Sequence, residues 1–277
     1  MLKISLKSKL LFYSILALSI ILLGCFAAYL VPFNPDAQNL GDALRAPNST
    51  HWLGTDMYGR DMLSRVMMGA RTSVLATLLL VFLISLIGTV VGTFSAYKGG
   101  FWDMLLMRLA DICVAFPGLV FAIALAGVLG GGVLNAVAAL TAISWPKYAR
   151  LARGQALVQL SQDFIKAAKL DGTTGFLLVW RFVLPNILNT MLVTALLDFG
   201  TMLMEIAGLS FLGLGAMPPT AEWGSMLSNG RSMIQTSPWT VLAPGFAIFL
   251  TVAIFNLWGE AIRDYLDPRL DRSGRNV

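Results

Sequence analysis

The chain has 277 residues, 57% hydrophobic and 13% charged, with 20 Lys and Arg against 15 Asp and Glu. So little polar surface cannot cover a water-soluble globule of this length, so the surrounding solvent is lipid. The net charge of +5 sits beside apolar runs and not in a stripe with aromatic platforms, which argues for membrane-flanking bases and against nucleic acid.

Residues 10–31 carry no charge and are long enough to cross a hydrocarbon core of about 30 Å. Lys3, Lys7 and Lys9 precede them. The run Leu22-Leu23-Gly24-Cys25 resembles a lipoprotein cleavage box, but apolar residues continue to Val31 and further spans follow, so a retained helix is expected. Pro32 and Pro35 then open a polar stretch reaching Arg71, in which Asp36, Asp42, Asp56 and Asp61 balance Arg45, Arg60, Arg65 and Arg71.

Further spans are predicted over 72–97, 104–129, 133–151, 186–209 and 241–261, about six with the first. Lys98-Gly99-Gly100 and Gly130-Gly131-Gly132 read as tight turns that force neighbouring spans antiparallel. Gly88 and Gly92 form a GxxxG face on the second span, best read as close helix packing. Arg108 and Asp111, three apart on the third span, are expected to pair. Cys25 and Cys113 lie in apolar runs and His51 is the single histidine, so neither a disulfide framework, a thiolate metal site nor HExxH zinc chemistry is supported, and no firmly bound metal is expected. No GxxxxGK[ST] loop occurs, so any ATP must bind another polypeptide.

With six spans, Arg45, Arg60, Arg65, Arg71 and Arg231 fall on one side, Arg108 falls near an inner helix end, and the remaining bases fall on the other side. Positive loops stay cytoplasmic, so both termini are expected there.

The loop over 152–185 joins the fourth and fifth spans and is too patterned for a plain linker. Ser161 is a candidate cap for a helix over 163–170. Asp163 suits its positive N-terminal end, Lys166 and Lys169 its opposite end, and Gly172 a left-handed stop. Thr173 or Thr174 is placed to cap a second helix running to Leu184, with Pro185 closing it. In the fifth span Asp198 and Glu205 stand seven apart, hence on one face, and ionisable groups at membrane depth usually face a cavity or a partner.

The run Asp163-Phe-Ile-Lys-Ala-Ala-Lys-Leu-Asp-Gly172, followed by Leu184-Pro185-Asn186, resembles the loop by which binding-protein-dependent ABC importer permeases dock on their ATPases. Ala167, Ala168 and Gly172 match that pattern. Lys166 stands where the family usually has Glu, and Phe182 where His is common. His51-Trp-Leu-Gly-Thr-Asp-Met-Tyr-Gly-Arg-Asp61, Gly69-Ala-Arg-Thr-Ser73, Ser210-Phe-Leu-Gly-Leu-Gly215 and Ala221-Glu-Trp-Gly224 are similar to the dipeptide, oligopeptide and nickel branch. Glu205 matches a commonly acidic position, and Asp198 looks like nickel-type members.

The resemblance implies an all-α integral membrane protein with the type I ABC importer permease fold, multi-pass in a bacterial or archaeal cytoplasmic membrane. The expected organisation is an N-terminus and first helix over 1–31, an extracytoplasmic segment over 32–71, a transmembrane core over 72–264 containing the coupling loop 152–185, and a cytoplasmic tail over 265–277. It implies as partners a second homologous permease, two ABC ATPase subunits carrying ATP and Mg, and an extracytoplasmic solute-binding protein; this chain itself holds no cofactor and catalyses no reaction. Candidate residues are Asp163, Lys166, Ala167, Ala168 and Gly172 for ATPase coupling, Asp198 and Glu205 for the pathway of a metal chelate or short peptide, and Asp56, Arg60 and Asp61 for the external partner. The rival reading is an ion-coupled secondary transporter in which Asp198 and Glu205 bind a proton or cation.

Overall fold

The computed structural model describes residues 6–266, so Lys3 and most of the predicted tail, including Arg269, Arg272 and Arg275, lie outside the described residues. Within them the chain is all-helical: α1 Leu6–Leu30, α2 Met62–Lys98, α3 Gly100–Ala115, α4 Gly118–Val128, α5 Val133–Leu160, α6 Asp163–Leu170, α7 Gly175–Leu178, α8 Leu184–Phe211, α9 Trp223–Gly230 and α10 Trp239–Leu266. The predicted spans correspond to α1, α2, the α3–α4 pair, α5, α8 and α10.

Among the described residues, four helical stretches are apolar and long enough to cross a membrane, and the α3–α4 pair makes a fifth when taken as one bent span. Helix α5 is 28 residues long but carries Lys147, Arg150 and Arg153, which lower its mean hydropathy. Each of those bases meets a carboxylate on a neighbouring helix: Asp198 at 2.6 Å, Asp111 at 2.8 Å and Asp103 at 2.5 Å. Those pairs let a helix with three bases run beyond its predicted end at Leu151 to Leu160.

The structure corrects three local expectations. The third span is broken: Phe116 is extended ahead of Pro117, because a proline ring disfavours helical geometry in the preceding residue, and α4 leaves α3 at 91°. Asp111 bonds Arg150 instead of Arg108. Pro185 does not close a helix: residues Gly175–Phe211 form a continuous 37-residue stretch. One turn, Val179–Val183, widens to π spacing, with Leu184 N–H bonding Val179 O, and Asn186 Nδ2 donates to Phe182 O at 2.6 Å. The wide turn accommodates a ring that lacks an N–H donor.

Helix α2 is the central post. It starts at Met62 because Asp61 caps it, its Oδ2 accepting from Ser64 N at 2.8 Å. Gly88 and Gly92 let the α5 backbone lie against it. A Cβ at Gly92 would stand 2.1 Å from Ala149 O, and one at Gly88 would stand 2.3 Å from Tyr148 Cβ. The main core joins Leu80 and Ile84 of α2, Leu140 and Tyr148 of α5, and Ile187 and Ile206 of α8. Helix α1 leans on α2 and α10, where Trp258 Nε1 donates to Ser14 Oγ at 2.9 Å.

Successive helices fix two ends. One carries residues 31–61, Gly130–Gly132 and 212–238, joined by Gly132 N to Gly215 O at 2.9 Å and Trp239 Nε1 to Thr55 O at 3.0 Å. The other carries the Lys98-Gly99 turn, α6 and α7. Gly92→Val is expected to cost about 2 kcal/mol through overpacking against the α5 backbone, read as a lower midpoint of thermal unfolding in detergent. Gly127→Ala, which meets nothing within 4 Å, should leave it unchanged or slightly raised.

Candidate coupling element and charged sites

Helix α6 begins at Asp163 and stops where the sequence predicts. Gly172 adopts φ 84°, Gly172 N bonds Lys169 O at 3.1 Å, and Thr173 N bonds Ala168 O at 2.9 Å. That bonding is a Schellman stop, which a residue with a Cβ resists. The predicted cap differs: Ser161 Oγ turns back to Val158 O at 2.8 Å, and Gln162 takes the cap position with no side-chain bond. Thr174 stands at the start of α7 but also makes no capping bond. Gly175 N instead donates to Tyr97 Oη at 2.7 Å, tying α7 to the end of α2.

The two alanines of α6 face opposite ways. Ala168 and Ile165 are buried against Ala96, Ala156, Leu178 and Val183, whereas Ala167 is exposed. Lys166 pairs with Asp163 at 2.8 Å in solvent, so that exposed pair contributes little stability. Phe164, Ala167, Leu170 and Phe182 border an open hollow of about 610 Å³. Leu170 is 91% exposed and Phe176 77%. An apolar patch of this kind on a small helix that stands outside the core marks a contact surface.

Below this patch, Arg153 grips Asp103 with two bonds, 2.5 and 2.6 Å, and Ser95 Oγ donates to the same carboxylate. The cluster locks α5, α3 and α2 together. Because α7 continues into α8, one helical stretch connects Gly175 to Asp198 and Glu205.

There, Asp198 is 8% exposed and its Oδ1 accepts from Lys147 Nζ of α5 at 2.6 Å. Its Oδ2 and the buried Tyr148 hydroxyl have no hydrogen-bond partner among the described residues. Glu205, half-buried on the same face of α8, makes no hydrogen bond or ion pair among the described residues. The sequence reading missed Lys147, although a base inside the fourth predicted span was the available signal.

Asp56, Arg60 and Asp61 lie at the opposite end and are 9%, 5% and 4% exposed. Asp56 Oδ2 accepts from Arg60 Nε at 2.6 Å, and Asp61 holds Ser64 and His51 Nδ1, the latter at 2.9 Å. These side chains build the segment from within, and Leu40 and Trp52, each 72% exposed, form its outer surface. Two motifs far apart in sequence meet nearby: Glu222, fully buried, accepts from Ser73 Oγ at 3.0 Å while capping α9 through Gly224 N and Ser225 N. Burial raises the Glu222 pKa, and those three donors oppose the shift.

The family model for the binding-protein-dependent transport system inner membrane component matches residues 88–272. The chain belongs to that family and is a membrane permease subunit of an ABC importer. It is 41% identical over 256 residues to the dipeptide transport system permease protein DppC of Alkalihalophilus pseudofirmus, covering 92% of this chain and 84% of that protein. It is also 41% identical over 254 residues to the glutathione transport system permease protein GsiD of Escherichia coli, covering 91% and 83%. A solved amino acid ABC transporter with histidines aligns at TM-score 0.48 and 20% identity, over 76% of this chain and 94% of that one. Membership implies ATPase and binding-protein partners.

The Lys147–Asp198 bond is expected to show as coupling. Lys147→Met alone should destabilise more than Lys147→Met combined with Asp198→Asn, with an interaction energy of about 1 kcal/mol in a double-mutant thermal-stability cycle.

Proposed function

We propose that this chain forms half of a translocation path for short peptides, with a second related permease as the other half. ATP and Mg sit on separate ATPase subunits that engage α6 through Ala167, Leu170 and the hollow beside them. The bases grouped at the α6 end support a cytoplasmic location for that end and for both termini. The observation that carries the reading is the Schellman-stopped α6 packed on a helix that continues into α8, a rigid handle joined to the pathway face. The rest of the 152–185 loop supports the handle, and Asp163 and Lys166 frame its leading turn.

A peptide solute is favoured over a metal chelate. Asp198, on which the nickel-type resemblance rests, is already held by an ammonium group, and the two curated relatives described above are named for dipeptide and glutathione transport. Glu205 remains as a carboxylate without an internal partner, suited to a peptide's amino terminus. At the other end, Asp56, Arg60 and Asp61 shape the surface offered to the solute-binding protein.

Proteoliposomes containing the assembled importer and its loaded binding protein should accumulate a labelled dipeptide only with ATP inside the compartment that faces the ATPases. Uptake by this chain alone, driven by an ion gradient, would overturn the proposal and favour the secondary-transporter reading. Gly172→Val is expected to lower solute moved per ATP hydrolysed by about tenfold, because left-handed geometry costs a residue with a Cβ roughly 1–2 kcal/mol. No atom lies within 4 Å of a Cβ there, so the effect is conformational and Gly172→Ala should fall between the two.

A further inference from the structure

Arg60 leaves part of its hydrogen-bonding capacity unused. Its side chain is 6% exposed and its Nε is held by Asp56, yet neither terminal nitrogen has an acceptor among the described residues. The neighbouring Arg65 is different: its guanidinium bonds Pro35 O at 2.9 Å, Asp36 at 3.1 Å and Pro219 O at 3.4 Å.

Both arginines line a cavity of about 300 Å³ between the 33–61 segment and α9, and none of its lining residues is an Asp or Glu. Asp56 belongs to the far side of Arg60, facing a separate small void of about 20 Å³ with Met57 and Met226. The cavity wall also holds Gln38, Thr220, Ser228 and Asn229, whose side chains bond no other described residue. The Arg60 guanidinium, held by Asp56 through Nε and lying 4.6 Å over the Tyr58 ring, thus keeps two fork nitrogens with no acceptor among the described residues, in a cavity whose other polar wall groups are neutral amides and hydroxyls. Water alone satisfies it weakly compared with an anion of matching planar geometry.

We infer that this cavity binds a carboxylate, with Arg60 as its anchor and Asn229 and Ser228 as neutral donors. Its volume admits a carboxylate and the few atoms attached to it, such as the end of a short peptide. The inference rests on the proposed orientation, which sets the cavity at the external entrance. There the carboxylate can come from the solute's terminus or from an acidic side chain of the binding protein.

The test uses the assembled importer with Cys25→Ser, Cys113→Ser and Thr220→Cys, a wall position given no role in holding the carboxylate, following modification of that thiol by mass spectrometry. An anionic methanethiosulfonate should react roughly tenfold faster than a cationic one, because two guanidinium groups line the cavity while their carboxylate partners lie outside its wall, which biases the local potential toward anions. Arg60→Gln should bring the two rates together. Arg60→Lys, which keeps the charge but loses the fork, should keep the rate difference and lose protection by added carboxylate. Protection by alanyl-alanine but not by its C-terminal amide identifies the solute as the source; protection by the binding protein alone identifies the partner. Equal rates for the two reagents before Arg60 is changed, or a rate difference that survives Arg60→Gln, overturns the inference. Labelling requires no transport, so an importer that labels as expected yet takes up no dipeptide with ATP sinks the functional proposal and leaves the carboxylate site standing.

Discussion

The fold depends on how closely α5 can approach α2. In lipid there is little hydrophobic drive to bring two apolar helices together, so association rests on van der Waals contact and on polar bonds between helices. Gly88 and Gly92 remove the side chains that would hold the backbones apart, and the α5 backbone at Trp145 and Ala149 fills the space. That contact fixes the rotation of α5, and the rotation decides where Lys147, Arg150 and Arg153 point.

The three bases then bind three carboxylates on two neighbouring helices. Lys147 reaches α8, while Arg150 and Arg153 reach α3. A charge inside a membrane protein is tolerated when a partner meets it, and here each partner also ties two helices together. The α3–α4 elbow at Pro117 lies beyond the last of these ties, where apolar residues such as Val120 and Phe121 are exposed and, among the described residues, no ion pair holds the chain straight.

A continuous helix links the α6 end to the carboxylates of α8. Helix α6 rests on Ile165 and Ala168 against the ends of α2 and α5 that carry Ala96 and Ala156. The chain then turns once and runs without a break from Gly175 to Phe211. A rigid helix moves as a unit, so a push at its start reaches Asp198 and Glu205, whereas a broken helix would absorb it in a hinge. The π turn at Val179–Val183 is the one irregular place on that path.

Much of this was legible in the sequence. Uncharged runs locate the spans, Gly172 marks where α6 stops, and the paired glycines of α2 mark a close approach, because hydropathy, backbone stereochemistry and side-chain size act within a few residues of the chain. The sequence did not reveal that Asp111 prefers Arg150 to Arg108, that Asp198 is already paired with Lys147, that Ser73 and Glu222 share a bond, or that Asp56 and Arg60 are buried against each other with Arg60 in a cavity wall. Those outcomes depend on distances between segments separated by tens of residues, set by helix rotation and spacing in three dimensions. Pro117 and Pro185 show the same division: each is a visible helix breaker, yet one yields a sharp elbow and the other a widened turn, because only packing determines which carbonyls find another donor.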